Sequence, residues 1–233
     1  MIFSFGRNNE SVRLDWLKSY LSKVPKGSKI LDAGAGELRN KKFCKHLDYV
    51  SQDFCQYEGF GDGAALQTGV WDTSKIDIVS DISTIPAPDN SFDIVLCTEV
   101  LEHTPDPLGA LRELARLTKP LGHIILTAPF CSLTHFAPYH YSTGFSRYWF
   151  EKHLETLGFS MIVVSPNGGW LDYIAQELWR LPWIGKNYSN RMLGWVALLL
   201  ALPVLGVMRL MKNKDRGSNE LLTFGWHIVA RKD

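Results

Sequence analysis

Short apolar runs punctuate the chain: SKILDA (28–33), YVSQDF (49–54), IDIVSD (76–81), FDIVLC (92–97), GHIILTAP (122–129), FSMIVVSP (159–166) and FGWHIVARK (224–232). Each is brief, nearly continuously apolar and bounded by turn-forming or charged residues, which predicts strands buried on both faces. Between them, apolar positions recur at helical spacing. Leu14, Leu17, Leu21 and Val24 predict a first helix, capped by Asn9 or Ser11 and ended by PKG at 25–27. A weakly helical stretch leads into YVSQDF. DPLGALRELARLTKP (106–120) gathers Leu108, Leu111, Leu114, Ala115 and Leu117 toward one side, predicting a helix stopped by Pro120. FSRYWFEKHLETLG (145–158) predicts another, with glycine at its end. Strands alternating with helices predict an α/β, Rossmann-like architecture, a mostly parallel sheet with helices on both faces.

One segment departs from this plan. Residues 167–222 separate the last two runs, where a hairpin would suffice, and they predict a hydrophobic helical insert within a single domain spanning 1–233. No charge occurs from Met192 to Met208. That run reaches the lower limit for crossing a bilayer, about 17–25 residues. The last strand must rejoin the sheet, so a single full crossing is excluded; a hairpin or an in-plane helix bent at Pro203 and Gly206 remains open. Three roles stand for the insert: a lid or core element, a homodimer face, or membrane-surface association through 191–216. Trp183, Trp195 and the cluster Arg209, Lys212, Lys214, Arg216 suit an interfacial boundary.

Charge narrows the partners. Lys and Arg total 25 against 24 Asp and Glu, so the basic footprint of a nucleic-acid binder is missing and no nucleic-acid partner is expected. Cys44, Cys55, Cys97 and Cys131 are scattered without a CxxC pair, which predicts reduced thiols and a cytoplasmic setting, peripheral to the inner face of the membrane if the insert docks there. The opening stretch MIFSFGRNNESVR lacks a basic region followed by a long apolar run, and no secretory signal is expected.

In open parallel sheets, ligands sit beyond the carboxyl ends of the strands. The first such end reads ILDAGAGE (30–37). A dinucleotide-binding turn needs a third small residue at position 39, where this chain has Arg39. No Gly-Lys-Ser/Thr follows, so a P-loop is excluded. Carboxylates then recur at successive strand ends. Asp53 ends the second strand, where it can accept from both hydroxyls of a ribose; Asp81 ends the third, where it can accept from an exocyclic amine.

ILDAGAGE, SQDF, SDISTIPAPDNSFDIVLCTEVLEH and ALRELARLTKPLGHIILTAPF resemble the successive motifs of class I S-adenosylmethionine-dependent methyltransferases, within the broad UbiE-like small-molecule group. The resemblance spans roughly residues 10–166 plus the last strand. It implies a seven-stranded sheet whose last strand is antiparallel. It implies that Asp32, Ala33, Gly34, Ala35 and Gly36 surround the methionine part of the cofactor S-adenosylmethionine. It places Asp53 at the ribose, Asp81 and Ile82 at the adenine, and Thr98, Glu99 and Val100 near the sulfonium, with Phe54 also among the cofactor-binding residues. Leu38 departs from the family's usual third glycine, which puts loop detail in doubt.

A sulfonium is already a strong methyl donor, so the protein must chiefly position the acceptor and exclude water. A hydroxyl or amine acceptor also calls for a base. The stretch after the fifth strand, APFCSLTHFAPYHYSTGF, offers His140 or His135 as base, with Tyr139 and Tyr141 shaping the acceptor pocket; His103 reads as orienting the next helix. His135 and His140, five apart without an acidic partner nearby, predict no metal site. The expected reaction is O- or N-methylation, with C-methylation open, of a small-molecule or lipid-linked acceptor. Two other classes stay open: a non-catalytic cofactor-binding or membrane-associated scaffold, and an NAD(P)-dependent oxidoreductase, against which Arg39 argues.

Overall fold

The computed structural model describes residues 4–233; the first three residues of the opening stretch fall outside it. The chain divides into two compact units, Asp15–Ser165 with Gly225–Asp233, and Met1–Leu14 with Pro166–Phe224.

The first unit is built on the sheet. Strands β1 (Lys29–Ala33), β2 (Asp48–Asp53), β3 (Ile78–Val79), β4 (Phe92–Thr98), β5 (Thr118–Pro129), β6 (Phe159–Asn167) and β7 (Gly225–Lys232) lie in the order β3-β2-β1-β4-β5-β7-β6. β1 to β5 pair in parallel, and β7 runs antiparallel to β5. Side-chain alternation separates two cores. Leu31, Val95, Cys97, Ile124, Leu126 and Ile228 pack on one face with α2 (Pro107–Leu117) and α3 (Arg147–Thr156). Ile30, Ile94, Leu96, Ile125 and Val229 face the other way, with Leu17 and Leu21 of α1 (Asn9–Leu21).

Local chemistry sets the ends of α2. Asp106 caps it by accepting from the Gly109 amide at 2.8 Å, and Pro107 occupies its first turn. It ends at Leu117, earlier than expected, because Lys119 precedes Pro120 and is driven to extended backbone. Thr118 already pairs with Phe92, so β5 begins four residues before the predicted GHIILTAP and carries Pro120 within it. Two other expectations shrink. The weakly helical stretch after β1 is a single 3-10 turn, Lys41–Phe43, since Leu38, Phe43 and Leu47 form no helical stripe. β3 keeps only Ile78 and Val79, leaving Asp81 two residues past its end.

The second unit holds the segment expected as an insert. α4 (Trp170–Trp179), α5 (Leu181–Tyr188) and α6 (Arg191–Lys212) pack around Leu171, Ala175, Leu198, Leu205 and Met208, with Phe5. α6 continues unbroken through Pro203.

Candidate active site

The turn after β1 is a backbone device. Gly34 and Gly36 have φ of +73° and +50°, conformations that L-residues rarely adopt. The Gly34 and Ala35 amides donate to the Gln52 carbonyl at 2.8 and 2.9 Å, tying the turn to β2. A Cβ on Gly34 would lie 2.4 Å from Val100 Cγ2, so the turn and the end of β4 approach as closely as glycine permits. Leu38, where the resemblance expects a third glycine, nonetheless takes φ of +59°. The backbone therefore follows the course a glycine would allow, at a cost of about 1–2 kcal/mol. Arg39 is exposed and paired with Glu37.

The acidic residues separate into different roles. Asp53 is 5% exposed; its Oδ2 accepts from the Gly36 amide and its Oδ1 from the Cys55 amide, both at 2.9 Å. A carboxylate has about four acceptor sites, so two remain for a ligand. Asp81 is exposed and accepts from the amide and hydroxyl of Ser83 through Oδ1. Asp32 is fully buried behind the turn, where Tyr49 Oη donates to it at 2.7 Å and Asn40 Nδ2 at 3.4 Å. Burial pushes its carboxyl up to about 6, against the pull of these two hydrogen bonds. Asn40 also donates to Thr98 Oγ1 at 3.1 Å.

These strand ends border a cavity of about 470 Å³. Gly34, Asp53, Phe54, Asp81, Ile82, Glu99 and Val100 line it, and among the lining residues Asp53, Asp81 and Glu99 are acidic while none is lysine or arginine. Glu99 holds φ of +54° directly after β4, where it turns the chain across the cavity. Asp32, Ala33, Ala35, Gly36 and Thr98 do not line the cavity: they form and brace the turn behind it.

The opposite wall comes from the loop after β5. Tyr139 and Tyr141 border the cavity, with Tyr139 packed edge-on against Phe54 at 5.1 Å between ring centroids. Phe136 also lines it and contacts Tyr57, Trp71, His103 and His135. Amides of Tyr141 and Ser142 donate to the Glu102 carbonyl, and that of Phe136 to the Leu66 carbonyl, binding the loop to two other segments. His135 and His140 stand one ring back from the cavity, and the histidine that borders it is His103. The His103 Nδ1–H donates to the Tyr139 carbonyl. Burial, then the neighbouring His135, lowers its basicity to a pKa of about 3. His140 is lowered for the same two reasons.

Gln52, Gln56, Tyr57 and Trp71 also line the cavity and were not expected there. Residues 55–75 carry no periodic apolar pattern, so nothing in the sequence aimed them at the β-strand ends.

Residues 31–126 match the family model of the methyltransferase domain. That stretch therefore has the sequence of a methyltransferase domain. Its turn, Asp53, Asp81 and Glu99 all fall within the matched residues. A ubiquinone biosynthesis O-methyltransferase of Aliivibrio fischeri (strain MJ11) is 33% identical over 106 residues, covering 43% of this chain and 44% of that protein. The chain thus spans about half the length, or less, of the curated relatives it matches. In fold, the chain resembles a SAM-dependent methyltransferase from Archaeoglobus fulgidus, with TM-score 0.56, 17% identity and coverage of 96% and 94% of the two chains. It also resembles the [4+2]-cyclase SpnF, with TM-score 0.54, 18% identity and coverage of 94% and 81%. The fold alone therefore does not name the reaction.

The lining suits S-adenosylmethionine. The spare acceptor sites on Asp53 suit a diol, and the carboxylates suit a cationic ligand. The buried Trp71 indole N–H has no hydrogen-bond partner among the described residues and can donate. A pyrophosphate would find no lysine or arginine among these lining residues.

Proposed function

We propose that this protein transfers a methyl group from S-adenosylmethionine to an oxygen of a small acceptor presented at a membrane surface. The observation that carries the cofactor half is the glycine-turned cavity with its three carboxylates and no lysine or arginine. Bound there, S-adenosylmethionine supplies an electrophilic methyl on a sulfonium. Asp53 would hold the ribose, Asp81 and Ile82 would border the adenine, and Glu99 and Val100 would flank the sulfonium. Tyr139 and Tyr141 would shape the acceptor position and keep water out. Oxygen is favoured as acceptor because the matched relatives are named as O-methyltransferases.

The membrane half rests on α6. Its buried residues Gly194, Leu198, Ala201, Leu205 and Met208 form a narrow seam at alternating spacings of four and three. The rest of a soluble helix would be polar. Here Met192, Leu193, Trp195, Leu199, Leu200 and Val207 are each more than half exposed, which demands an apolar cover. α6 is long and apolar enough to cross a membrane, with 28% of its most apolar stretch buried. Arg191 at its start and Arg209, Lys212, Lys214 and Arg216 at its end suit anionic headgroups. Docking of α6 on lipid would support a lipid-linked acceptor.

Two measurements test the reading. Calorimetry should show S-adenosylhomocysteine binding and no NAD(P) binding; the reverse would overturn the cofactor assignment. With labelled S-adenosylmethionine and a membrane lipid extract, label should enter the organic phase. The double substitution Leu199→Asp, Leu200→Asp should abolish retention on anionic liposomes while leaving cofactor affinity unchanged. Equal retention of both proteins would remove the membrane half.

A further inference from the structure

Three imidazoles from two separate segments meet beside the cavity. His103 follows β4, and His135 and His140 belong to the loop after β5. Ring centroids of His103 and His135 are 4.6 Å apart, those of His135 and His140 4.9 Å, and those of His103 and His140 5.9 Å. One ring nitrogen of each lies within 4.8 Å of the others. The expectation of no metal considered His135 and His140 alone; the fold adds a third donor.

Hydrogen bonding fixes two of the tautomers. The Nδ1–H of His103 donates to the Tyr139 carbonyl, and that of His135 to the Leu133 carbonyl at 2.8 Å. Each ring therefore presents an Nε2 lone pair, and an N–H held by a backbone carbonyl is how metal-ligating histidines are usually oriented. Among the described residues, His103 Nε2 is buried without a hydrogen-bond partner, as are both ring nitrogens of His140. Burying such groups unsatisfied is costly.

We propose that His103, His135 and His140 form a binding site for one divalent transition-metal ion of the zinc class. An all-imidazole donor set suits zinc, copper, iron or nickel and does not suit magnesium or calcium. Tetrahedral bonds of 2.0–2.1 Å bring the donor nitrogens about 3.4 Å apart, so binding would draw together rings whose donor atoms now lie within 4.8 Å. Glu102 Oε1, 3.8 Å from His103 Nε2, sets a carboxylate beside the ion. Three protein ligands leave one coordination position open, the pattern of catalytic rather than structural zinc. The ion would join the turn after β4 to the loop carrying Phe136, Tyr139 and Tyr141. In one respect the inference rests on the O-methyl reading: a hydroxyl acceptor at the open position would be more acidic, and its proton would pass to the Glu102 carboxylate beside the ion.

The test needs no methyl acceptor. Chelator-treated full-length protein is titrated with Zn²⁺ against a chromophoric chelator, and with Co²⁺ by absorption. One equivalent should bind, with the intense visible bands of a four-coordinate Co²⁺ site. His135→Ala and His140→Gln should each weaken binding at least tenfold, and His123→Ala should not. S-adenosylhomocysteine affinity and melting temperature confirm that each variant is folded. No saturable binding, or stoichiometric binding indifferent to both substitutions, would overturn the site. Cofactor calorimetry on the same samples reports separately on the methyltransferase reading.

Discussion

The two walls of the cavity are built by different physics. The wall at β1 and β2 is short-range and made of backbone: glycines at positive φ, amides tied to Gln52 and Asp53, and a buried carboxylate bracing the turn. The wall after β5 is a long loop held by stacked rings and by hydrogen bonds to two other segments. The first wall leaves no room for a Cβ at Gly34, which would meet Val100. The second lies on a loop, where rings can vary without disturbing the sheet.

The largest effect should come from the tightest backbone. Gly34→Ala forces a side chain at φ of +73° and drives it into Val100. A loss of about 2–4 kcal/mol of stability is expected, with S-adenosylhomocysteine binding lost; thermal melts and calorimetry read both. A variant that binds normally would show that the turn is looser than its geometry.

Asp32 makes this wall pH-dependent. Its folded carboxyl holds a proton to about pH 6, and an unfolded one only to about 3.8. The folded state therefore binds the extra proton between these values. Stability from this group is complete below the lower value and is lost as pH rises through the upper, a change on the order of 3 kcal/mol. The groups facing it are Tyr49, Asn40, Cys44 and Asp53. Asp32→Asn should remove that slope in urea unfolding measured from pH 4 to 7. An unchanged slope would place the titration elsewhere.

Asp53→Ala should weaken S-adenosylhomocysteine binding by about 1.5–3 kcal/mol, roughly tenfold to a hundredfold. Unchanged affinity would remove the ribose assignment. Phe136→Ala sharpens the contrast from the other wall. Its ring is half-buried among Tyr57, Trp71, His103 and His135, so a cost of about 1–3 kcal/mol is expected, read as faster hydrogen exchange across 131–142. If it lowered cofactor affinity as much as Asp53→Ala, the two walls would not be separable.

Much of the first wall was legible before any fold was known. ILDAGAGE, Asp53 and Asp81 announce themselves by position, because strand ends in a parallel sheet converge and the local sequence dictates the turns. The second wall was legible only as a composition of rings and histidines. Tyr139 was aimed at the cavity and lines it, whereas His135 and His140 stand behind His103, which sequence had given only a local task. Trp71 and Tyr57 were invisible, because an irregular segment carries no period from which a direction can be read. Asp32, grouped with the cofactor residues, is buried against Tyr49 and Asn40, partners that only the folding of β2 and the following turn beside β1 brings to it.

Sequence by itself determined the alternation of strands and helices, the glycine turn, the acidic strand ends and the uncharged run of α6, since each follows from local sterics, periodicity or charge. Tertiary structure alone decided which groups meet across long stretches of chain: Val100 against Gly34, Trp71 against Phe136, and His103 with His135 and His140. Such meetings depend on how loops close over a sheet, and loop closure answers to the whole fold rather than to its own residues.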